Sequence, residues 1–573
     1  MEGMMSEFKF SKPSAMIQIE LPDGRLIEGP RGSTLEDFLN ILKPEMKSEL
    51  VGAVVNGELK ELRHQLNSSA NVTPFTMEHS GGLIIYKRSL VYMMAACFEK
   101  LFPGFDLEVK HSIKGGGILC CVEGPKDFTA KDRQKLQKEM RRLVAADHKI
   151  IRKEISIDEA YQLFERKQQA DKLDLLKYRK KPYLTTYILD DFQDYFYGYM
   201  VPSTGYLKYF RLEKAGLKNG FILRHPNDGN DKQFGTLEKY ERMRPIFDEY
   251  STWQKNLNVH MLSSINRAID ENRIGDLILV SESLQGRQFT NAAEAIAKRH
   301  GQVKLVMIAG PSSSGKTTSS KRLSIELLAR GISPIPIEMD NFFLNRELTP
   351  RDENGDYDFE TVNALNIPLF QDCMKRLIEG ETVQIPHFDF VTGKSEPGQI
   401  LTMNENQILI VEGIHGLNPI ILGNLPAENI YRIFVSPMTQ VNMDRYNRVS
   451  TLDVRLLRRI VRDFRDRGYS AQSTIARWRS VRAGEHKYIT PYQNLADIFI
   501  NTSLVYEVSA LKSLADIALR MVPFGTPEHI EARRLLAFLE WVTPLDRDLI
   551  PDNSILAEFV GGSNLKDFIT WRN

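Results

Sequence analysis

The chain has 573 residues, of which 42% are hydrophobic and 26% charged, with a formal net charge of +1. That length predicts three or four domains, and the near-neutral balance excludes whole-chain attraction to nucleic acid or acidic lipid. Cys97, Cys120, Cys121 and Cys373 form no C-x-x-C pair and Met1–Met16 has no apolar core, which excludes a disulfide framework and a secretion signal and points to the cytoplasm.

Residues 1–15 read as a disordered leader. Ile17, Ile19 and Leu21 alternate with Gln18 and Glu20, predicting a strand. Pro22-Asp23-Gly24 is a turn, Thr34 is placed to cap a helix, and Val51–Val55 reads as a strand closed by Asn56-Gly57. This α+β pattern over 16–78 resembles a TGS domain, the ubiquitin-like module at the front of threonyl-tRNA synthetases.

Over 79–224 the order Arg88-Ser89-Leu90-Val91-Tyr92, Leu101-Phe102-Pro103-Gly104, Ala145-Ala146-Asp147, Glu154–Ala160 and Val201-Pro202-Ser203-Thr204-Gly205 resembles the editing domain of the same synthetases. That domain implies two His four apart, then a Cys and a His. Here those places hold Arg88, Tyr92, Phe196 and Met200, which make a poor ligand set for a metal. The expectation is a domain that neither edits nor binds zinc. The basic stretches Lys131–Arg142 and Lys177–Lys181 are the candidate RNA contacts, against the alternative of solvated helix faces. Residues 225–300 read as a loop (His225–Asn230) and a helical bridge with a charged helix over Glu238–Trp253, in which the lone His260 is structural.

From 301 to 505 strands and helices alternate, predicting a doubly wound parallel sheet. Val303–Ile308, Ile332–Met339, Gln407–Val411, Tyr431–Val435 and Asp497–Asn501 are its strands. Between the first strand and a helix lies Gly310-Pro311-Ser312-Ser313-Ser314-Gly315-Lys316-Thr317, which fits the phosphate-loop pattern G-x-x-x-x-G-K-[S/T] at every fixed position. Gly310, Ser312, Ser313, Ser314, Gly315, Lys316, Thr317 and Thr318 are therefore the expected ATP-binding residues. Lys316 would reach the terminal phosphates, and Thr317 would offer its hydroxyl to Mg²⁺. Asp340 and Glu412 stand at strand ends facing the loop. Asp340 is the candidate general base for an acceptor hydroxyl, and Glu412 the candidate for water-mediated Mg²⁺ contact.

Arg455, Arg458, Arg459 and Arg462 recur at helical spacing opposite Leu456, Leu457, Ile460, Val461 and Phe464, predicting a helix with one apolar face and one arginine face that acts as a lid. Arg477, Arg479, Arg482 and Lys487 form a second basic cluster. The phosphate loop, Met339-Asp340-Asn341-Phe342-Phe343, Asp356-Tyr357-Asp358-Phe359, Val383–Phe390, Val411-Glu412-Gly413 and Arg458–Asp463 together resemble the uridine kinase and phosphoribulokinase family. The resemblance implies ATP-dependent phosphorylation of a nucleoside 5′-hydroxyl. Asp340 would be the base, Asp358 and Arg467 would hold the ribose or nearby groups, and Arg459 and Arg462 would belong to the lid. The sequence departs from the uridine kinases at Phe388 and Gly393, where they carry a Tyr and a His that read the base. Phe388 could stack on a base but not hydrogen-bond to it, which leaves the nucleobase open. The alternatives are a sugar-phosphate kinase using the Arg477–Lys487 cluster, or an RNA-binding protein with a nucleotide-dependent switch. Residues 506–573 read as a helical extension packed on this domain. No membrane contact is expected, and a homo-oligomer is compatible with the sequence.

Overall fold

A computed structural model describes residues 12–568, apart from 114, 228–233, 238–243, 352–354 and 440. Most of the 1–15 leader, part of the His225–Asn230 loop and the start of the helix expected from Glu238 thus lie outside the described residues. The chain divides into two compact units: Met1–Glu238 with Asp444–Arg448 and Pro523–Phe538, and the remainder.

The first unit opens with strands β1 (Met16–Glu20) and β2 (Leu26–Pro30), helix α1 (Leu35–Leu39), and strands β3 (Leu50–Val55), β4 (Glu58–Lys60) and β5 (Ala70–Thr76), paired in the order β2-β1-β5-β3-β4. Alternation turns Ile17 and Ile19 into the core. Thr34 and Asp37 close a capping box on α1, as the sequence predicts. Asn56 and Gly57, both with positive φ, make the tight turn from β3 to β4. Helix α2 (Ser80–Leu101) follows, then β6 (Asp106–Ile113), β7 (Gly117–Glu123), α3 (Ala130–Ala146), β8 (Ile151–Ser156), α4 (Ile157–Arg166), α5 (Ala170–Leu176), β9 (Tyr183–Leu189), β10 (Phe192–Tyr195), β11 (Arg211–Lys214) and β12 (Gly220–Arg224). These strands form two antiparallel sheets, β10-β9-β8 and β11-β12-β7-β6.

The four positions that carry ligands in the resembled editing domain are packed here. Tyr92 and Phe196 meet edge to face at 5.3 Å, and both are buried with Met200. The Tyr92 hydroxyl donates to the Tyr187 carbonyl at 2.6 Å, and Arg88 donates to the Tyr199 carbonyl at 2.9 Å. Lys172 lies in the same core, buried against Asp194 and feeling Asp444. Residues Asp444–Arg448, which the sequence reading allots to 301–505, belong to this unit. Arg445 pairs with Asp171 at 2.9 Å, Tyr446 donates to Glu99 at 2.8 Å, and Asn447 donates to the Tyr195 carbonyl at 3.1 Å.

The second unit begins with α6 (Arg244–Asn256), α7 (Leu262–Asp270) and α8 (Ile274–Ala297). Its sheet comprises β13 (Leu305–Ala309), β14 (Ser333–Glu338), β17 (Gln407–Glu412), β18 (Ile430–Ser436) and β19 (Ile498–Asn501); the separate hairpin is β15 (Val383–Asp389) and β16 (Lys394–Leu401). The sheet order is β14-β17-β13-β18-β19, all parallel. Central β13 is buried at all five positions, as an apolar strand covered on both faces must be. Pro334 and Pro336 fall on edge strand β14, where a missing N–H is tolerated. The connecting helices are α9 (Lys316–Leu328), α10 (Ile367–Ile378), α11 (Pro419–Leu422), α12 (Thr451–Asp466), α13 (Ala471–Gly484) and α14 (Glu507–Arg520).

The 506–573 stretch does not stay together. Helix α15 (Pro527–Leu539) falls in the first unit but for its last residue, whereas α14 and α16 (Ala557–Val560) remain in the second. Helix α12 also differs from expectation. It buries Val454, Leu456, Leu457, Ile460 and Val461 and also Arg455 and Arg458, so it has no open arginine face. Among the described residues no helix is long and apolar enough to cross a membrane.

Candidate active site

The phosphate loop leaves β13 at Gly310, where a Cβ would lie 2.2 Å from the Val435 carbonyl oxygen. Ser313 (φ 58°) and Gly315 (φ 84°) take left-handed conformations. Such alternation turns successive amides to one side and makes an anion-binding concavity. The opposite side of the loop is held by donors. The Ser312 carbonyl accepts from Arg455 Nη2 at 2.9 Å, that of Ser313 from Arg458 Nη1 at 3.4 Å, and that of Ser314 from Thr502 Oγ1 at 2.7 Å. Three consecutive carbonyls of the loop are thus fixed by side chains of other elements, and the Ser314 N–H closes the turn on the Pro311 carbonyl at 3.2 Å. Helix α9 starts at Lys316 and adds its N-terminal dipole.

Arg455 and Arg458 are therefore corrected from lid residues to supports of the loop. Arg455 pairs with Glu485 at 3.0 Å, and Arg458, wholly buried, pairs with Glu507 and the Thr502 carbonyl. Removing either from its site would leave a buried carboxylate uncompensated. Arg459 and Arg462 lie further along the helix and are less buried. Arg459 Nη1 donates to the Ser312 hydroxyl at 2.9 Å, and buried Asp463 lies 3.4 Å from Arg459 Nε and 3.4 Å from Arg467 Nη1.

The strand ends bring the acids together. Ile308 and Glu338 both lie level with Glu412 in the sheet register, so β13, β14 and β17 end side by side. Thr317 Oγ1 donates to Glu412 Oε1 at 2.7 Å, joining the two residues expected to serve the metal. Burial raises Glu412 to about 7; Lys316 and the Thr317 hydroxyl pull it down, and Asp340 and Glu338 add to the rise. Asp340 is open to the cleft. The protein walls around it still raise its pKa, while the charges of Lys316, Arg467 and Arg462 lower it. The charge of Lys316 pulls down Asp340, Glu412 and Glu360 alike.

Two substrate-site expectations change. Phe388 is 2% exposed and packs against Phe343 and Phe390, so its ring is core, not a platform. The exposed aromatic is Phe390, just beyond β15, at 58%. The pleat explains the exchange: residues two apart share a face only while the strand is regular, and β15 ends at Asp389. Asp358 Oδ1 accepts from the Glu360 N–H at 3.0 Å and so serves its own turn. Glu360, two residues on, lies in the field of Arg459 and Lys316: burial raises it to about 7 and those two cations draw it down. The sequence signal for it is the alternation Asp356, Asp358, Glu360. Buried His415, three residues after Glu412, was also missed; burial lowers it to about 4, so its ring is neutral. Thr318 is already engaged, its hydroxyl donating to Glu558 at 2.6 Å. Arg477 and Arg479 of the second basic cluster are exposed, Arg477 over the Tyr469 ring.

The similarities to known proteins fall domain by domain. The chain is 31% identical over 198 residues to a threonine–tRNA ligase of Carboxydothermus hydrogenoformans and 32% identical over 200 residues to one of Bacillus velezensis. These matches take in 34% and 35% of this chain and fall in its N-terminal region, and the chain spans 31% of the length of either ligase. A solved structure titled a possible uridine kinase, from Bacillus stearothermophilus, covers 35% of this chain and 89% of its own at 16% identity and a TM-score of 0.24, a likeness too partial to bear on function. The strongest statement comes from family models: residues 17–76 are a TGS domain, and residues 305–509, the P-loop and parallel sheet just described, are a domain of the Phosphoribulokinase / Uridine kinase family.

Proposed function

We propose that the protein transfers the γ-phosphoryl group of ATP, with Mg²⁺, to the 5′-hydroxyl of a nucleoside in the cytoplasm. The kinase-family domain supports phosphotransfer to an alcohol of a sugar or nucleoside; the finer reading is ours. The residues present suit the nucleotide and metal: an amide concavity at Gly310–Thr317, a cation at Lys316, and the Thr317–Glu412 oxygen pair. When bound, ATP supplies the phosphoryl group and Mg²⁺ the countercharge. Asp340 accepts the proton of the acceptor hydroxyl, and Lys316, Arg459 and Arg462 offset the charge that develops on the transferred group. Phe390 takes the stacking role first given to Phe388, and Glu360 joins Asp358 and Arg467 as a candidate for the ribose hydroxyls. RNA contact through exposed Lys131, Lys135 and Lys138 of α3 is a separate expectation that filter binding with tRNA would check.

The observation that carries the reading is an exposed carboxylate, Asp340, just beyond the end of β14 and within the field of the loop's Lys316. A screen of nucleosides and pentose phosphates with Mg-ATP tests it, comparing wild type with Asp340→Asn. Loss of a general base lowers turnover about 10²–10⁴-fold while ATP binding stays intact. Equal turnover in both would remove Asp340 from the chemistry, and turnover of pentose phosphates alone would replace the nucleoside by a sugar phosphate.

A further inference from the structure

The nucleotide site already holds an anion of the protein's own. Thr318 is the third residue of α9, so its N–H is one of the donors that a helix leaves unsatisfied in its first turn. Glu558 Oε2 accepts from that N–H at 3.4 Å and from the Thr318 hydroxyl at 2.6 Å. The segment around Glu558 is anchored, not draped. Arg465 donates to the carbonyls of Phe559 at 2.6 Å and Glu558 at 3.1 Å, Arg458 lies 4.9 Å from the centre of the Phe559 ring, and Lys321 donates to the carbonyls of Leu565 and Lys566 at 2.6 and 2.8 Å. Buried Ile555 covers Gly315: a Cβ on that glycine would lie 2.9 Å from Ile555 Cγ2. Glu558 also feels Arg462.

We propose that Glu558 is an internal acidic counter-ligand of the phosphate site, held by the chain's C-terminal segment, and that it lowers the protein's affinity for nucleotide. The inference rests on the nucleotide-binding reading of Gly310–Thr318. The features that would draw a phosphate to the start of α9, free amides and a positive helix end, are those that hold this carboxylate. An incoming phosphate must displace Glu558 or tolerate a like charge beside it, so only the fraction of molecules with Glu558 withdrawn binds at full strength.

The test is calorimetric titration of the full-length protein with ADP and with a non-hydrolysable ATP analogue, for wild type, Glu558→Gln and Glu558→Ala. The glutamine keeps an oxygen for the Thr318 hydroxyl while removing the charge, so it separates electrostatics from folding. Both variants should bind about tenfold more tightly than wild type, the size of one relieved charge-assisted contact. Wild type that binds while both variants bind equally or more weakly would overturn the counter-ligand and make Glu558 a wall of the site. Absence of binding in all three, with unchanged thermal midpoints, would overturn the nucleotide reading and this inference with it.

Discussion

Replacing Glu412 by glutamine should stabilise the nucleotide-free protein in alkali and leave it unchanged in acid. Burial lifts Glu412 from the ordinary 4.5 to about 7. At about 1.4 kcal/mol per tenfold change in acidity, that rise corresponds to about 3 kcal/mol. The sign follows from the folded state holding its proton more tightly than the unfolded chain. The protonated form's contribution is whole below 4.5 and is lost as pH climbs through about 7. Glutamine is neutral throughout and keeps an acceptor for Thr317. The difference between variant and wild type should therefore be near zero at about pH 4.5 and largest by about pH 8.5. Roughly 2–4 °C per kcal/mol for a unit of this class gives a midpoint raised by about 5 °C or more. Thermal scans across this pH range, without metal or nucleotide, measure it. Differences are compared because two units need not unfold as one. Glu360 shifts in the same direction in both proteins and cancels, whereas the repulsion of Glu412 by Asp340 and Glu338 goes with its charge and adds to the gain at high pH. A variant with no gain at high pH, or with the same gain at both ends, would refute the reasoning.

Arg458→Met should destabilise the second unit by about 3–5 kcal/mol, because it strands Glu507 in the core; a denaturant titration reads this, and adding Glu507→Leu should restore much of the loss. Gly310→Ala should abolish nucleotide binding without unfolding the sheet, since its methyl group meets the Val435 carbonyl; calorimetry with ADP and circular dichroism check the two halves. Lys172→Met should destabilise the first unit by a similar amount to the Arg458 change, leaving buried Asp194 with Lys167, at 3.1 Å, and the Tyr195 N–H; hydrogen exchange of α5 and β10 would show the loosening.

Much of the candidate site's framework was legible because its signals are local. A strand, a glycine turn and a helix stand in sequence, and acids at strand ends fall beside the turn once the strands pair in parallel. The Thr34 cap and the Asn56-Gly57 turn are local in the same way. What escaped the sequence reading depends on partners far away in the chain. The arginine stripe has the spacing of an amphipathic helix, yet Arg455 and Arg458 find Glu485, Glu507 and loop carbonyls and become buried supports. Phe388 and Phe390 differ in no property of composition, and only the end of β15 decides which ring meets solvent.

Spacing along the chain therefore determined that a glycine turn with left-handed Ser313 and Gly315 joins β13 to α9 and that acids stand at the same end of the sheet, since those features come from hydrogen-bond geometry within a few residues. The tertiary structure alone decided that Asp444–Arg448 and Pro523–Phe538 join the first unit, that Asp358 is taken up by its own turn, and that Glu558 sits on Thr318. Those outcomes depend on which buried charge finds a partner, and burial is a property of the packed chain as a whole.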